Sequence, residues 1–235
     1  MREKIVAGNI YHVLSRGVDK RKIFMDEEDH FRFIHDLFEF NDIDSANNIT
    51  YHFNRTSKDV ARPYNGINDR KPRKLLVEIL AFCLMSNHYH LLIRPLFDDG
   101  VFKFMKKLNT GYAKYFNEKY SRKGALFEGR YKLVPIIEQS HFIHIPYYIH
   151  LNPLDFVAHE WRHRQLNNPQ KAIEFLENYR WSSHLDYLGK KNFPSVTSRE
   201  FLLEIFGGAE KYKKEIYEWI KNLDINEINK LTLDD

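Results

Sequence analysis

His88 and His90 stand one residue apart inside the apolar run Cys83–Pro95 (CLMSNHYHLLIRP). That run reads as a buried β-strand. Side chains at i and i+2 of a strand leave the same face, so both imidazoles point together while Tyr89 points away. Downstream, in Ile145–Pro153 (IPYYIHLNP), Tyr148 and Asn152 are four apart and share one face of a helix. Two imidazoles on one face are a common way to hold a divalent metal, but a third ligand has to come from elsewhere. A neutral amide oxygen such as that of Asn152 suits Mg²⁺ or Mn²⁺ better than zinc. A metal of this kind polarises a phosphoryl oxygen and orients a phosphodiester for in-line attack. Tyr148, one turn before the amide, would be the nucleophile, its phenolate favoured by the nearby cation. The product would be a phosphotyrosine bond that keeps the energy of the cut linkage for rejoining.

Each part also has a plainer reading. A His-x-His pair on an apolar strand can be two satisfied core histidines, and a tyrosine in an aromatic-rich helix can be a packing residue with a hydrogen-bonded tip. Tyr147 competes for the nucleophile's role, but its neighbour four residues on is Leu151, which cannot bind metal, so spacing favours Tyr148. Tyr131 is a second competitor, and His144 or His150 could replace Asn152 as a ligand.

The elements that must position these groups can be read along the chain. Asn9–Ser15 alternates as a first strand and leads into a basic turn region, Arg16–Lys22. Asp26 starts a helix with acidic residues in its first turn and Phe31, Phe33, Ile34, Leu37 and Phe38 at roughly helical spacing. From about Asn41 to Arg73 the chain is polar and aperiodic, too long for a simple connection, and is expected to be a functional loop, a small subdomain or a disordered insertion. Leu75–Phe82 then leads into the histidine segment, as one long strand or as two broken at Met85–Asn87. Val101–Tyr120 predicts an amphipathic helix with Asp98 or Asp99 as N-cap. Gly124–Ile137 predicts an extended return strand with turns at its glycines. Ser140 is the expected N-cap of a helix ending at Asn152 before Pro153, kinked by Pro146. The remainder predicts helices over NPQKAIEFLENY, TSREFLLEIFG and AEKYKKEIYEWIKNL. Strand and helix alternate only in the first 150 or so residues, which predicts an α+β core with a helical appendage.

Composition sets the outer bounds. At 235 residues the chain is one large domain, or one with substantial appendages. No run approaches the ~18 apolar residues of a membrane span, and the first residues lack a signal-peptide core. Cys83 is the only cysteine, which excludes an intrachain disulfide and a thiolate zinc site within one chain. The expectation is a cytoplasmic protein without membrane contact. The net charge of +4 is mild, but Val101–Pro135 carries nine Lys/Arg against Glu118 and Glu128, a local +7 interleaved with Tyr112, Tyr115, Phe116, Tyr120, Phe127 and Tyr131. Such a segment suits a nucleic-acid surface, with phosphates met by charge and unstacked bases by rings. It equally suits a solvated helix face whose aromatics lie in the core.

Several blocks in this order resemble the single-tyrosine HUH transposases, especially the REP-associated tyrosine transposases. They are NIYHVLSRGVDKRKIF, AFCLMSNHYHLLIRP, GYAKYFNEKYSRKGALFEGRYK, YYIHLNP and YRWSSHLDYLG. The resemblance maps the HUH motif onto His88 and His90, with Tyr89 in the central hydrophobic position, the nucleophile onto Tyr148 and the third metal ligand onto Asn152. It implies a ferredoxin-like antiparallel sheet with helices on one face. It also implies a Mg²⁺- or Mn²⁺-dependent enzyme that cuts single-stranded DNA beside a hairpin, leaving a 5′-phosphotyrosine and a free 3′-hydroxyl. The catalytic domain would span 1–160 and a helical C-terminal extension 161–235. The expected DNA contacts are Arg16, Lys20 and Arg21, with Lys22 beside them, and Lys103, Lys106, Lys107, Lys114, Arg122, Lys123, Arg130 and Lys132. Relatives of this kind act as monomers or homodimers, and both stay open. Two departures stand out: the long 41–73 insertion, and Ser86 where a proline is common. The alternative is a domesticated hairpin-binding protein that keeps the fold without strand transfer.

Overall fold

In the computed structural model, residues 4–44, 52–54, 59–61, 73–163 and 165–222 are described. Four strands form one sheet: β1 (Ile10–Arg16), β4 (Val77–Leu84), β5 (His88–Pro95) and β6 (Lys132–Ile136). Their spatial order is β4-β5-β1-β6, with every neighbouring pair antiparallel. A separate two-stranded ribbon pairs β2 (His52–Asn54) with β3 (Asp59–Ala61). Helix α1 (Glu27–Glu39) follows β1, and α2 (Gly100–Lys119) joins β5 to β6. Across the main sheet the order of elements is thus βαββαβ, the ferredoxin-like arrangement. The predicted α+β class and antiparallel sheet are borne out. Residues 45–51, 55–58 and 62–72 of the Asn41–Arg73 insertion lie outside the described residues.

Helices cover both faces of the sheet, not the one face that the resemblance implied. Helices α1 and α2 lay Phe33, Ile34, Leu37, Phe104, Leu108 and Tyr112 against Tyr11, Val13, Tyr89, Leu91 and Ile93. The opposite face meets α3 (Gln139–Leu151) and the C-terminal helices α4 (Pro169–Asn178), α5 (His184–Tyr187), α6 (Glu200–Phe206) and α7 (Ala209–Asn222). This double cover explains why β4 and β5 read as nearly continuous apolar runs. A bulge between Ile79 and Ala81 turns consecutive residues Leu80 and Ala81 to the second face.

The C-terminal segment is bonded onto the free edge of β4. Leu84 N–H donates to Trp181 O (2.9 Å), Ser183 N–H to Phe82 O (3.0 Å) and Ser198 N–H to Ile79 O (2.8 Å). Among side chains, the Tyr179 and Tyr187 hydroxyls donate to the Leu84 and Leu80 carbonyls, both at 2.6 Å. These bonds protect an edge that would otherwise be open to another strand.

Local details match the sequence signals with small shifts. Asp26 caps α1, accepting from Asp29 N–H at 3.0 Å. Asp99 occupies the N-cap of α2 without a side-chain cap bond, while Asp98 accepts from Ala7 N–H instead. Helix α3 starts one residue before the expected Ser140 cap, runs through Pro146 and ends at Leu151. Asn152 begins a 3₁₀ turn, Asn152–Phe156, and a second such turn spans His159–His163.

Candidate active site

The register of the sheet decides which side chains meet. His88 lies opposite Arg16, His90 opposite Leu14 and Cys83, and His12 opposite Leu92 and Val134. Cross-strand partners share a face, so His12, His88 and His90 all project toward α3, with Arg16 at the same end. Lys132, opposite Leu14, starts β6 on that face too.

His88 and His90 come together as the spacing predicts, their rings edge to face with centroids 5.0 Å apart. Asn87 Nδ2 donates to Lys20 O (3.1 Å), which turns Asn87 Oδ1 toward His88 Nδ1 at 2.6 Å. An amide oxygen only accepts, so a neutral His88 carries its proton on Nδ1 and its lone pair on Nε2. His12 was not foreseen as a site residue. Its ring stacks on His90 (5.2 Å, 17°), and its Nε2 lies 2.9 Å from His90 Nδ1. An imidazole ligand held at its second nitrogen by a neighbour is the usual means of setting ring orientation and tautomer. Only strand pairing could reveal His12, because 76 positions separate it from His88.

Helix α3 brings Tyr148 to this cluster within the same chain. Its ring stands edge-on to His90 (5.9 Å, 90°) and to His12 (6.1 Å, 79°). Tyr147 points elsewhere. Its hydroxyl donates to Glu215 Oε2 at 2.6 Å, and burial together with that carboxylate pushes its pKa well above the usual tyrosine value. His144 stacks on Trp219. His150 is bonded to the Tyr212 hydroxyl (2.8 Å) and Ser183 Oγ (2.7 Å). Both alternative ligands are thus committed to the helical layer.

Asn152 is one turn beyond Tyr148, as expected, but its carboxamide turns to a residue that the sequence did not single out. Nδ2 donates to Tyr148 O (2.8 Å), and Oδ1 accepts from Arg162 Nη2 (3.0 Å). Arg162 also reaches the Tyr148 hydroxyl through Nη1 (3.4 Å) and pairs with Asp155 through Nε (2.8 Å) and Nη2 (2.6 Å). Trp161 Nε1 donates to the same carboxylate at 2.6 Å. His88 and His90 could hold a divalent ion, with the Asn152 amide oxygen, already accepting from Arg162, as the third protein ligand. That oxygen keeps a second lone pair beside the bond from Arg162. Among the described residues, no group of three or more His, Cys, Asp or Glu side chains is arranged to hold a metal. Within this donor set any third ligand has to be the amide.

The candidate DNA contacts divide by what already holds them. Lys107 is committed: its ammonium sits on the backbone carbonyls of Asp42, Ile43 (3.3 Å) and Asp44 (2.8 Å). Lys103 pairs with Asp99 at 2.7 Å. Lys20, Lys106, Lys114, Lys123, Arg130 and Lys132 are exposed, whereas Arg16 is half-buried. Exposed Arg21 and half-buried Arg122 line one cavity of about 320 Å³ with Lys22, Phe116 and Tyr120. Gly17 anchors the basic turn beside His88, for its N–H donates to Asn87 O, and an added Cβ would stand 2.3 Å from Arg21 O. The interleaved aromatics serve packing first, since Tyr112, Phe116 and Phe127 are buried.

Comparison with known proteins agrees with the resemblance read from the sequence. A search against curated proteins found no match. A solved structure described as the "REP associates tyrosine transposase bound to a REP hairpin" is similar to this chain at 13% identity, with TM-score 0.48, over 84% of this chain and 90% of that one. No described helix is long and apolar enough to cross a membrane. The family model "Transposase IS200 like" matches residues 47–152, a segment that holds His88, His90, Tyr148 and Asn152 but neither His12 nor Arg162. Across that segment, 106 of the 235 residues, the chain is similar to the IS200-like transposases.

Proposed function

We propose that this chain cuts single-stranded DNA beside a hairpin and passes the cut end to another strand, with Tyr148 as nucleophile. The observation that carries this reading is the Tyr148 ring, edge-on to His90 at 5.9 Å, brought there by a helix of the same chain. One chain thus supplies a full set of groups, and a monomer suffices. His88, His90 and Asn152 would hold Mg²⁺ or Mn²⁺, which supplies Lewis-acid polarisation of the scissile phosphate.

The protein's own residues do the remainder. Asn87 fixes the tautomer of His88, and His12 holds the His90 ring. The Tyr148 oxygen forms a bond to phosphorus as the P–O3′ bond breaks. The phenol gives its proton to solvent, and the departing 3′-oxygen takes one up. One phosphoester replaces another, so the reverse attack by a 3′-hydroxyl needs no external energy source. Arg16 and Lys132, on the histidine face, would grip flanking phosphates, with Lys20, Arg21, Arg122 and Arg130 further out.

A second reading, hairpin binding without strand transfer, is favoured by the closure of the site. Tyr148 is 1% exposed, and Asn152 and His90 are fully buried. One assay separates the two. Hairpin-bearing single-stranded DNA is incubated with protein and Mn²⁺ or Mg²⁺, then run on a denaturing gel. A protein–DNA adduct that disappears in Tyr148→Phe, with binding retained, is the expected result. Binding without cleavage establishes the second reading, and cleavage that survives Tyr148→Phe overturns the tyrosine mechanism.

A further inference from the structure

We propose that Arg162 is a catalytic residue of the same site, holding the Tyr148 hydroxyl and the Asn152 amide in register and meeting the charge of the attacked phosphate. The inference rests on the strand-transfer reading above but concerns a residue outside the segment that matches the transposase family.

Three observations carry it. Arg162 is bonded to both Tyr148 Oη (3.4 Å) and Asn152 Oδ1 (3.0 Å). The guanidinium does not wander, because Asp155 receives Nε and Nη2 as a two-point fork at 2.8 and 2.6 Å. Asp155 is itself held by Trp161 Nε1. The Arg162 side chain is 27% exposed and Tyr148 is 1% exposed, so Arg162 is the more accessible of the two to an incoming phosphate.

Geometry then limits what the group can do. At attack, the phosphorus sits about 3–3.5 Å from the nucleophilic oxygen. A guanidinium whose Nη1 is 3.4 Å from that oxygen is within reach of a non-bridging phosphate oxygen. Arginine presents planar donors suited to phosphate, and a cation fixed before the reaction costs no reorganisation during it. The same charge favours the phenolate as leaving group when a 3′-hydroxyl attacks the phosphotyrosine. The start of the C-terminal segment thereby becomes part of the active site.

The test measures adduct formation at saturating hairpin DNA, hairpin affinity and thermal melting, for wild type, Arg162→Ala and Arg162→Lys. The expected result is a loss of about a hundredfold in adduct rate for Arg162→Ala, with hairpin affinity nearly unchanged. Arg162→Lys should retain part of the rate, and added guanidinium ion should restore part of it to Arg162→Ala. A wild-type rate in Arg162→Ala overturns the proposal. So does a loss that guanidinium does not rescue, that Arg162→Lys shares in full and that tracks a fall in melting temperature. If wild-type protein forms no adduct, the strand-transfer reading itself fails and this proposal falls with it.

Discussion

His184 makes the stability of this protein depend on pH in a way that can be calculated. It is fully buried between α3 and α7, with Nδ1 2.9 Å from the Tyr212 hydroxyl, which also bonds His150. Burial disfavours its charged form and lowers its pKa from 6.5 to about 3. The unfolded chain binds this proton more readily than the folded one, so stability rises with pH. The contribution is fully present above the unfolded value of 6.5 and is lost as pH falls toward about 3. Between pH 8 and pH 5 this one group removes about 2 kcal/mol of folding stability. Urea unfolding followed by tryptophan fluorescence at both pH values measures the loss. In His184→Gln, whose amide can still reach Tyr212, the difference between the two pH values should shrink by about 2 kcal/mol. The variant is expected to be weaker at pH 8 and closer to wild type at pH 5. An unchanged pH difference would refute the claim that His184 is folded in neutral form.

Arg130 and Lys107, both expected from the sequence to contact DNA, should separate. Arg130→Gln should weaken hairpin binding and lower the slope of log K against log salt by about 0.7–0.9. Lys107→Gln should leave that slope unchanged, because its ammonium already rests on three backbone carbonyls. Equal slopes for the two variants would show that the basic segment acts only as diffuse charge. At Gly111 an added Cβ would lie 2.3 Å from the Phe40 ring, so Gly111→Ala should cost about 1–3 kcal/mol through overpacking between α1 and α2. Unchanged denaturant unfolding would mean that this contact gives way freely.

Much of the outcome was legible along the chain because local rules suffice for it. Two histidines at i and i+2 of a strand must share a face, and Tyr148 and Asn152 must share a helical stripe, whatever surrounds them. The cap at Asp26 and the stop at Gly207 follow equally from neighbouring residues. The order of strands and helices in the core was likewise readable from the alternation of patterns.

Only the tertiary structure decided the rest, because it depends on which distant residues meet. His12 reaches His90 solely through the register of β1 on β5. Arg162 reaches Tyr148 and Asn152 solely because a short irregular turn folds back over α3. A lysine in an amphipathic stripe reads the same whether it faces DNA or, like Lys107, a ring of carbonyls. Spacing along a sequence carries intra-element geometry, whereas pairing between elements is set by the packing of the whole chain, and the two residues that complete this site depend on pairing.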